Sequence, residues 1–231
     1  MIIDELTAYI LHTRVFKSTS LLVDCLTAEY GLITGIYNRG KGVGKKSLSL
    51  YTPYWMQVNS KNSLAKILKL EPIDQELELV GTNNYCGLYL NEILVRLLAP
   101  NEAQPKIFAL YQDTLLDIAA ITSTTNDKIE VILRLFELKL LNALGYGIDF
   151  CQDSSGNDII VSRFYHYYPS QGFKSSNTGY KGDALYAISN ADFSSSYVRK
   201  VVKGIVRIQI NSILGGKPLK SRELFIQGRI Y

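Results

Sequence analysis

The chain has 231 residues, 47% hydrophobic and 20% charged, with a formal net charge of +4. That length holds one large domain or two or three small ones, each able to bury a core, and the composition is that of a globular protein. No uncharged apolar run approaches the roughly 18 residues of a membrane helix, and Asp4 and Glu5 stand where a secretory signal would carry cations, so a cytoplasmic protein with no membrane association is expected.

The first eighty residues read as strands. TAYILHTRVF, SLLVDCLTAE, GLITGIYNRG, LSLYTPYWMQVN and LAKILKLEPI are short runs rich in Leu, Ile, Val, Thr and Tyr, separated by turn residues. Five such strands suit a small barrel, and the OB-fold is one that commonly binds single-stranded nucleic acid. After Pro72 the period changes to helical. Leu90, Ile93, Leu94, Leu97 and Leu98 form the apolar stripe of an amphipathic helix ended by Pro100. Pro105 starts a second helix through KIFALYQDTLLDIAAI, on which Asp113 and Asp117 read as a solvated face. A third, TTNDKIEVILRLFELKLLNALGYG, is apolar on most sides and should be buried, with Gly145 and Gly147 as its stops. Residues 150–182 are rich in Gly, Ser and Asn and read as an irregular subdomain tied down by aromatics. A short helix at DALYAI and a longer one at SSSYVRKVVKGIVRIQINSIL follow, the latter ended by Gly215 and Gly216, and a basic tail closes the chain.

Charge is unevenly spread. Between Glu29 and Glu71 stand Arg39, Lys41, Lys45, Lys46, Lys61, Lys66 and Lys69 with no acid, and from Ser194 onward eight cations face Glu223 alone. Residues 70–193 are net acidic. Two basic zones point to a polyanionic partner. Within the first zone, YNRGKGVGKKS fails as a P-loop, because the positions needing Gly and Ser or Thr hold Arg39 and Lys46. It is a basic loop that grips a nucleic-acid backbone, or else a solvated turn. Tyr37, Tyr51, Tyr54 and Trp55 nearby are either stacking platforms or barrel core. On the last long helix Arg199, Lys203 and Arg207 stand four apart with Lys200 beside them and no acid in sequence to offset them, a ridge for an anion or a solvated face. His12, His166, Cys25, Cys86 and Cys151 show no metal-ligand spacing and no disulfide framework, so buried thiols and no metal are expected. No nucleophile elbow, paired carboxylates or Cys-His arrangement appears, which argues for a binder without a reaction.

Several segments resemble the bacterial RecO family of recombination mediators. They are AYILHTRVFKSTSLLVDCLT with YGLITG, YCGLYLNEILVRLL, LRLFELKLLNALGYGIDF and LGGKPLKSRELF, and the likeness runs along essentially the whole chain. The resemblance implies an α+β protein: a five-stranded OB-fold DNA-binding domain at 1–80, then a helical bundle. The bundle would span 81–149 and 183–231, the latter including the basic tail. Residues 150–182 would be a degenerate zinc-ribbon-like insertion. Zinc-ribbon members carry four cysteines after the LGYG helix; Cys151 alone stands there, which argues against zinc, and no other cofactor is implied.

The implied function is DNA repair by recombination without catalysis. Such a protein binds single- and double-stranded DNA, anneals complementary strands, and works with RecR, and in some pathways RecF, to load RecA onto DNA coated by single-strand binding protein. A nucleoid-associated, cytoplasmic location goes with this. Arg39, Lys41, Lys45 and Lys46 correspond to the family's basic barrel segment and are DNA-contact candidates, joined by Arg199, Lys203, Arg207, Lys217, Lys220 and Arg222 from the C-terminal zone. Arg134 matches a family arginine that receives the acidic C-terminal tail of single-strand binding protein; an ion pair with Glu137 one turn on is its ordinary alternative. An adaptor holding proteins together, with incidental DNA contact, is the rival from another class, and a metal-dependent nuclease a third.

Overall fold

The computed structural model describes residues 2–39, 48–59, 64–121 and 126–227. Five strands, β1 (Ile2–Lys17), β2 (Ser20–Thr27), β3 (Gly31–Asn38), β4 (Pro53–Asn59) and β5 (Ala65–Pro72), make a closed barrel in the order β1-β2-β3-β5-β4. Antiparallel pairs account for all the seams except β3 with β5, where Gly35, Ile36 and Tyr37 run parallel to Ala65, Lys66 and Ile67. This is the five-stranded OB-type barrel expected from the strand pattern.

Period-two alternation builds its interior. On β4, Tyr54, Met56 and Val58 are buried while Trp55 and Gln57 are only partly covered, and Ala8, Ile10, Val23, Cys25, Ile33 and Ile67 fill the same core. Burial pushes the Cys25 thiol up to about 12, with the Asp24 charge adding to it, so this cysteine is packing and not chemistry. Outward-facing Tyr9 and Leu11 of β1 are covered too, because the first helices lie against that part of the wall. Tyr9 packs its ring 5.4 Å from Phe108 and 5.2 Å from Tyr111.

Those helices are α1 (Gly81–Leu97) and α2 (Pro105–Ala119), with Pro105 at the start of α2 where its missing N–H costs nothing. Buried Asn91 fixes three elements together: its amide donates to the Leu11 carbonyl at 2.9 Å and its carbonyl accepts from the Tyr111 hydroxyl at 2.6 Å. Gly31 shows why that position has no side chain. Its φ is +63°, and a Cβ would come within 1.8 Å of the Glu102 carbonyl oxygen.

The chain divides into two compact units. One runs to Ala120 and takes back the chain from Leu219; the other is Ile121–Pro218. The second unit holds α3 (Asn126–Ala143), a three-stranded sheet in the order β7-β6-β8 (Gly172–Ser176, Phe164–Tyr168, Tyr180–Lys181), α4 (Gly182–Ser189) and α5 (Ser196–Ile213). Phe136, Leu140, Leu141, Val202, Ile205 and Val206 are among the residues buried where α3 and α5 pack. The insertion is more regular than its composition indicates. The rings of Tyr167 and Phe173 pack tilted with centres 5.1 Å apart, Phe150 meets Phe173 at 5.6 Å, and the Tyr167 hydroxyl donates to Gln209 on α5 at 2.9 Å.

Two expectations need correction. Cys151 is exposed, not buried, because it sits in the irregular start of the insertion. The basic tail is not a simple tail: Ser221–Gln227 form a short helix, α6, docked on α1. Glu92 of α1 accepts from the backbone N–H groups of Lys220 (2.9 Å) and Ser221 (2.7 Å) and from the Ser221 hydroxyl (2.6 Å), and Phe225 packs edge-on against Tyr85 and Tyr89. Partial burial pushes the Glu92 carboxyl up, but the bonds from Ser221 and Lys220, with Arg96 beside it, outweigh this and hold it below the ordinary value. The carboxylate therefore stabilises the docked α6 at pH above its ordinary value near 4.5, and this is lost as pH falls through the lower folded value. Amide exchange in α6 should accelerate on acidification in that window, and Glu92→Ala should show fast exchange at neutral pH with the pH step removed; an unchanged step in the variant would assign it to another group.

Among the described residues no helix is long and apolar enough to cross a membrane.

Candidate nucleic-acid interface

The β1–β2 hairpin and the end of β3 form one end of the barrel. Ser20 pairs with Asn38 and Leu21 with Tyr37, so the hairpin turn lies beside the last residues of β3, and the Arg39 N–H donates to the Thr19 carbonyl at 2.9 Å. Arg39, half-buried, is thus held where the glycine-rich stretch of the sequence begins. Lys41, Lys45 and Lys46 lie outside the described residues.

Neighbouring side chains extend the same character. On β1, Val15 is 75% and Phe16 45% exposed, with the Lys17 ammonium 5.5 Å from the Phe16 ring centre. Arg14 is mostly exposed and is partly neutralised by buried Asp24 at 3.5 Å, which also accepts from Thr34 at 2.6 Å. On the adjoining strands, exposed Lys66 and Lys69 line β5, and the Lys69 ammonium stands 5.8 Å over the ring of Trp55. Exposed aromatics paired with cations are the elements that hold single-stranded nucleic acid, the ring for a base and the cation for a phosphate. The tyrosines divide from Trp55: Tyr51 and Tyr54 are buried, Tyr37 packs on the core, and Trp55 alone lies on the outer face. Arg14, Phe16 and Lys17 were not among the candidates from the sequence, where their one signal is the break in alternation at Val15 and Phe16 before a lysine.

The C-terminal cations are arranged differently from the expected ridge. Arg199 is 6% exposed; it donates to the carbonyls of Phe193 (3.0 Å) and Ser194 (2.8 Å) and pairs with Asp127 (2.8 Å) and Glu130 (3.4 Å). Lys203 reaches the same Glu130 at 3.3 Å. The ridge is therefore not unpaired. Its acids come from α3, some seventy residues away in sequence, so helical spacing alone could not reveal them. Lys200 and Arg207 remain exposed on α5. Lys217 belongs to the second unit, whereas Lys220 and Arg222 belong to the first, Lys220 exposed and Arg222 half-buried in α6.

Arg134 is 6% exposed on α3, and its guanidinium donates to Glu137, itself 1% exposed, at 2.6 Å. Its Nε has no hydrogen-bond partner among the described residues. The intrahelical pair is present, and it is a buried pair.

Among the described residues no three His, Cys, Asp or Glu side chains come together as metal ligands would. A structural zinc takes four nitrogen or sulfur ligands. One exposed thiol in the insertion does not fit that ion.

Comparison with known proteins agrees with this architecture. The family model described as Recombination protein O N terminal matches residues 1–75, and that described as Recombination protein O C terminal matches 80–195. DNA repair protein RecO of Haemophilus influenzae (strain PittGG) is 39% identical over 227 residues, covering 95% of this chain and 94% of the relative. The protein of that name from Aliivibrio fischeri (strain MJ11) is 35% identical over 94% of this chain and 93% of its own, and that from Pseudoalteromonas atlantica is 35% identical over 98% and 96%. A barrel bearing cation–aromatic pairs, two matched family models and this coverage together lead to one conclusion: the chain belongs to the RecO family of DNA repair proteins.

Proposed function

We propose that this chain is a non-enzymatic mediator that binds single- and double-stranded DNA and anneals complementary strands. With RecR, and RecF in some pathways, it helps load RecA onto DNA coated by single-strand binding protein. It works in the cytoplasm at the nucleoid and needs no cofactor.

The observation that carries this reading is the end of the barrel where Arg39 is tied to the hairpin bearing Phe16 and Lys17, next in sequence to the stretch with Lys41, Lys45 and Lys46. Cations there neutralise phosphates, which lowers the repulsion between two approaching strands. Phe16 and Trp55 offer ring faces on which unpaired bases stack, leaving their pairing edges open to a partner strand. Lys200, Arg207, Lys217, Lys220 and Arg222 add positive charge in the C-terminal zone, while Lys203 and Arg199 are engaged with α3 carboxylates. The family resemblance supports Arg134 as the seat of the acidic, phenylalanine-ended tail of single-strand binding protein, with a guanidinium that suits a carboxylate; because Arg134 is buried beside Glu137, the side chains around it must open to admit the tail.

An annealing assay with labelled complementary oligonucleotides, run with and without a divalent metal, tests the reading. Duplex should form faster with the protein, with both strands intact in either condition. Shortened strands with metal would make the protein a nuclease, and no acceleration would leave an adaptor.

A further inference from the structure

The second unit carries a groove that the barrel chemistry does not use. Along α5, Tyr197, Val201, Gly204 and Ile208 fall on one stripe facing β6 and β8. Gly204 leaves room for the Tyr180 hydroxyl, which a Cβ there would meet at 3.2 Å, closer than an ordinary contact. Between stripe and sheet is a groove of about 480 Å³, within the roughly 300–1,000 Å³ range of small-ligand sites.

Its walls are largely aromatic, and among the described residues its one always-charged side chain is Lys200. Tyr197 is 43% exposed, and His166 and Lys200 stand in the lining; among the described residues no carboxylate lines the groove. The pattern continues outside it. Lys174 is the cross-strand partner of His166, and its ammonium lies 5.3 Å from the ring centre of Tyr168, itself 44% exposed.

We propose that this groove is a second DNA site, taking a base of single-stranded DNA against Tyr197 while Lys200 holds the adjoining phosphate. The inference deepens the proposed DNA-binding function and rests on it. The lining favours this ligand over an acidic peptide. A peptide carboxylate is best held by a guanidinium fork, and the cation here is the Lys200 ammonium, which suits a phosphate approached from several directions.

The test is fluorescence anisotropy of a labelled oligothymidylate with the full chain. Tyr197→Ala should weaken binding roughly five- to tenfold by loss of one stacking contact. Lys200→Ala should weaken it similarly and reduce the salt slope by about 0.7, the share of one phosphate. Tyr197→Phe keeps the ring and should bind as the natural chain does, which separates stacking from any general disturbance of α5. If the natural chain binds and the alanine variants bind equally well with the same slope, the groove is not a DNA site although the proposed function stands. If the natural chain binds no DNA, the proposed function itself fails. If the variants keep DNA but lose an acidic peptide ending in phenylalanine, the groove is a peptide site and the inference is overturned.

Discussion

Arg134→Ala is expected to destabilise the second unit by about 3–5 kcal/mol, far more than a surface arginine would, because it leaves the carboxylate of Glu137 buried without its guanidinium. The size follows from burial. Both side chains are more than nine-tenths covered, so water cannot replace the lost partner. Replacing both members by apolar residues, as Arg134→Met with Glu137→Leu, removes the buried charges together and should return stability to within about 1 kcal/mol of the natural chain or above it. The pair of variants separates two effects that one substitution would merge. If Arg134 receives an acidic tail, the double variant will be stable by urea denaturation and yet fail to bind an acidic peptide ending in phenylalanine. Peptide binding at natural strength by the stable double variant would remove Arg134 from the tail site.

Changing Lys41, Lys45 and Lys46 together to Ala should weaken single-strand binding by about a hundredfold near 0.1 M salt. Each phosphate contact on a single strand contributes about 0.7 to the salt slope, so three contribute about 2, and at about 0.1 M that slope corresponds to about two decades in affinity. Thermal stability should hardly move. The readout is a salt titration of variant beside natural chain: a lower affinity with a shallower slope assigns the loss to phosphate contacts, whereas a parallel line at lower affinity would point to altered structure. The peptide contact at Arg134 should survive this variant, dividing DNA binding from tail binding.

Local pattern carried much of the fold. The stripe Leu90, Ile93, Leu94 on α1 was readable, and all three are buried as its spacing requires; Tyr54 and Trp55 stayed open between platform and core, and the barrel turns Tyr54, Met56 and Val58 inward and leaves Trp55 partly covered. What escaped was set by distant partners. Helix α6 has only seven residues and depends on Glu92, well over a hundred positions earlier, to accept from its first N–H groups. The basic spacing of Arg199 and Lys203 was plain, yet Asp127 and Glu130 meet them only after α3 packs on α5. Phe16 was read as one more strand residue. It is exposed because β1 runs past the covered part of the barrel into a hairpin. The RecO resemblance gave Arg134 a role but not its burial, and burial decides which substitution can test that role.

Titration of single-stranded oligonucleotide affinity against salt, from about 50 to about 200 mM, tests DNA binding through phosphates most directly. With Arg39, Lys41, Lys45 and Lys46 each on a phosphate, the logarithmic slope should be about −3 or steeper, a loss of roughly fiftyfold across that range. Affinity that stays flat across the same range would contradict phosphate contact and, with it, the mechanism by which the strands are brought together.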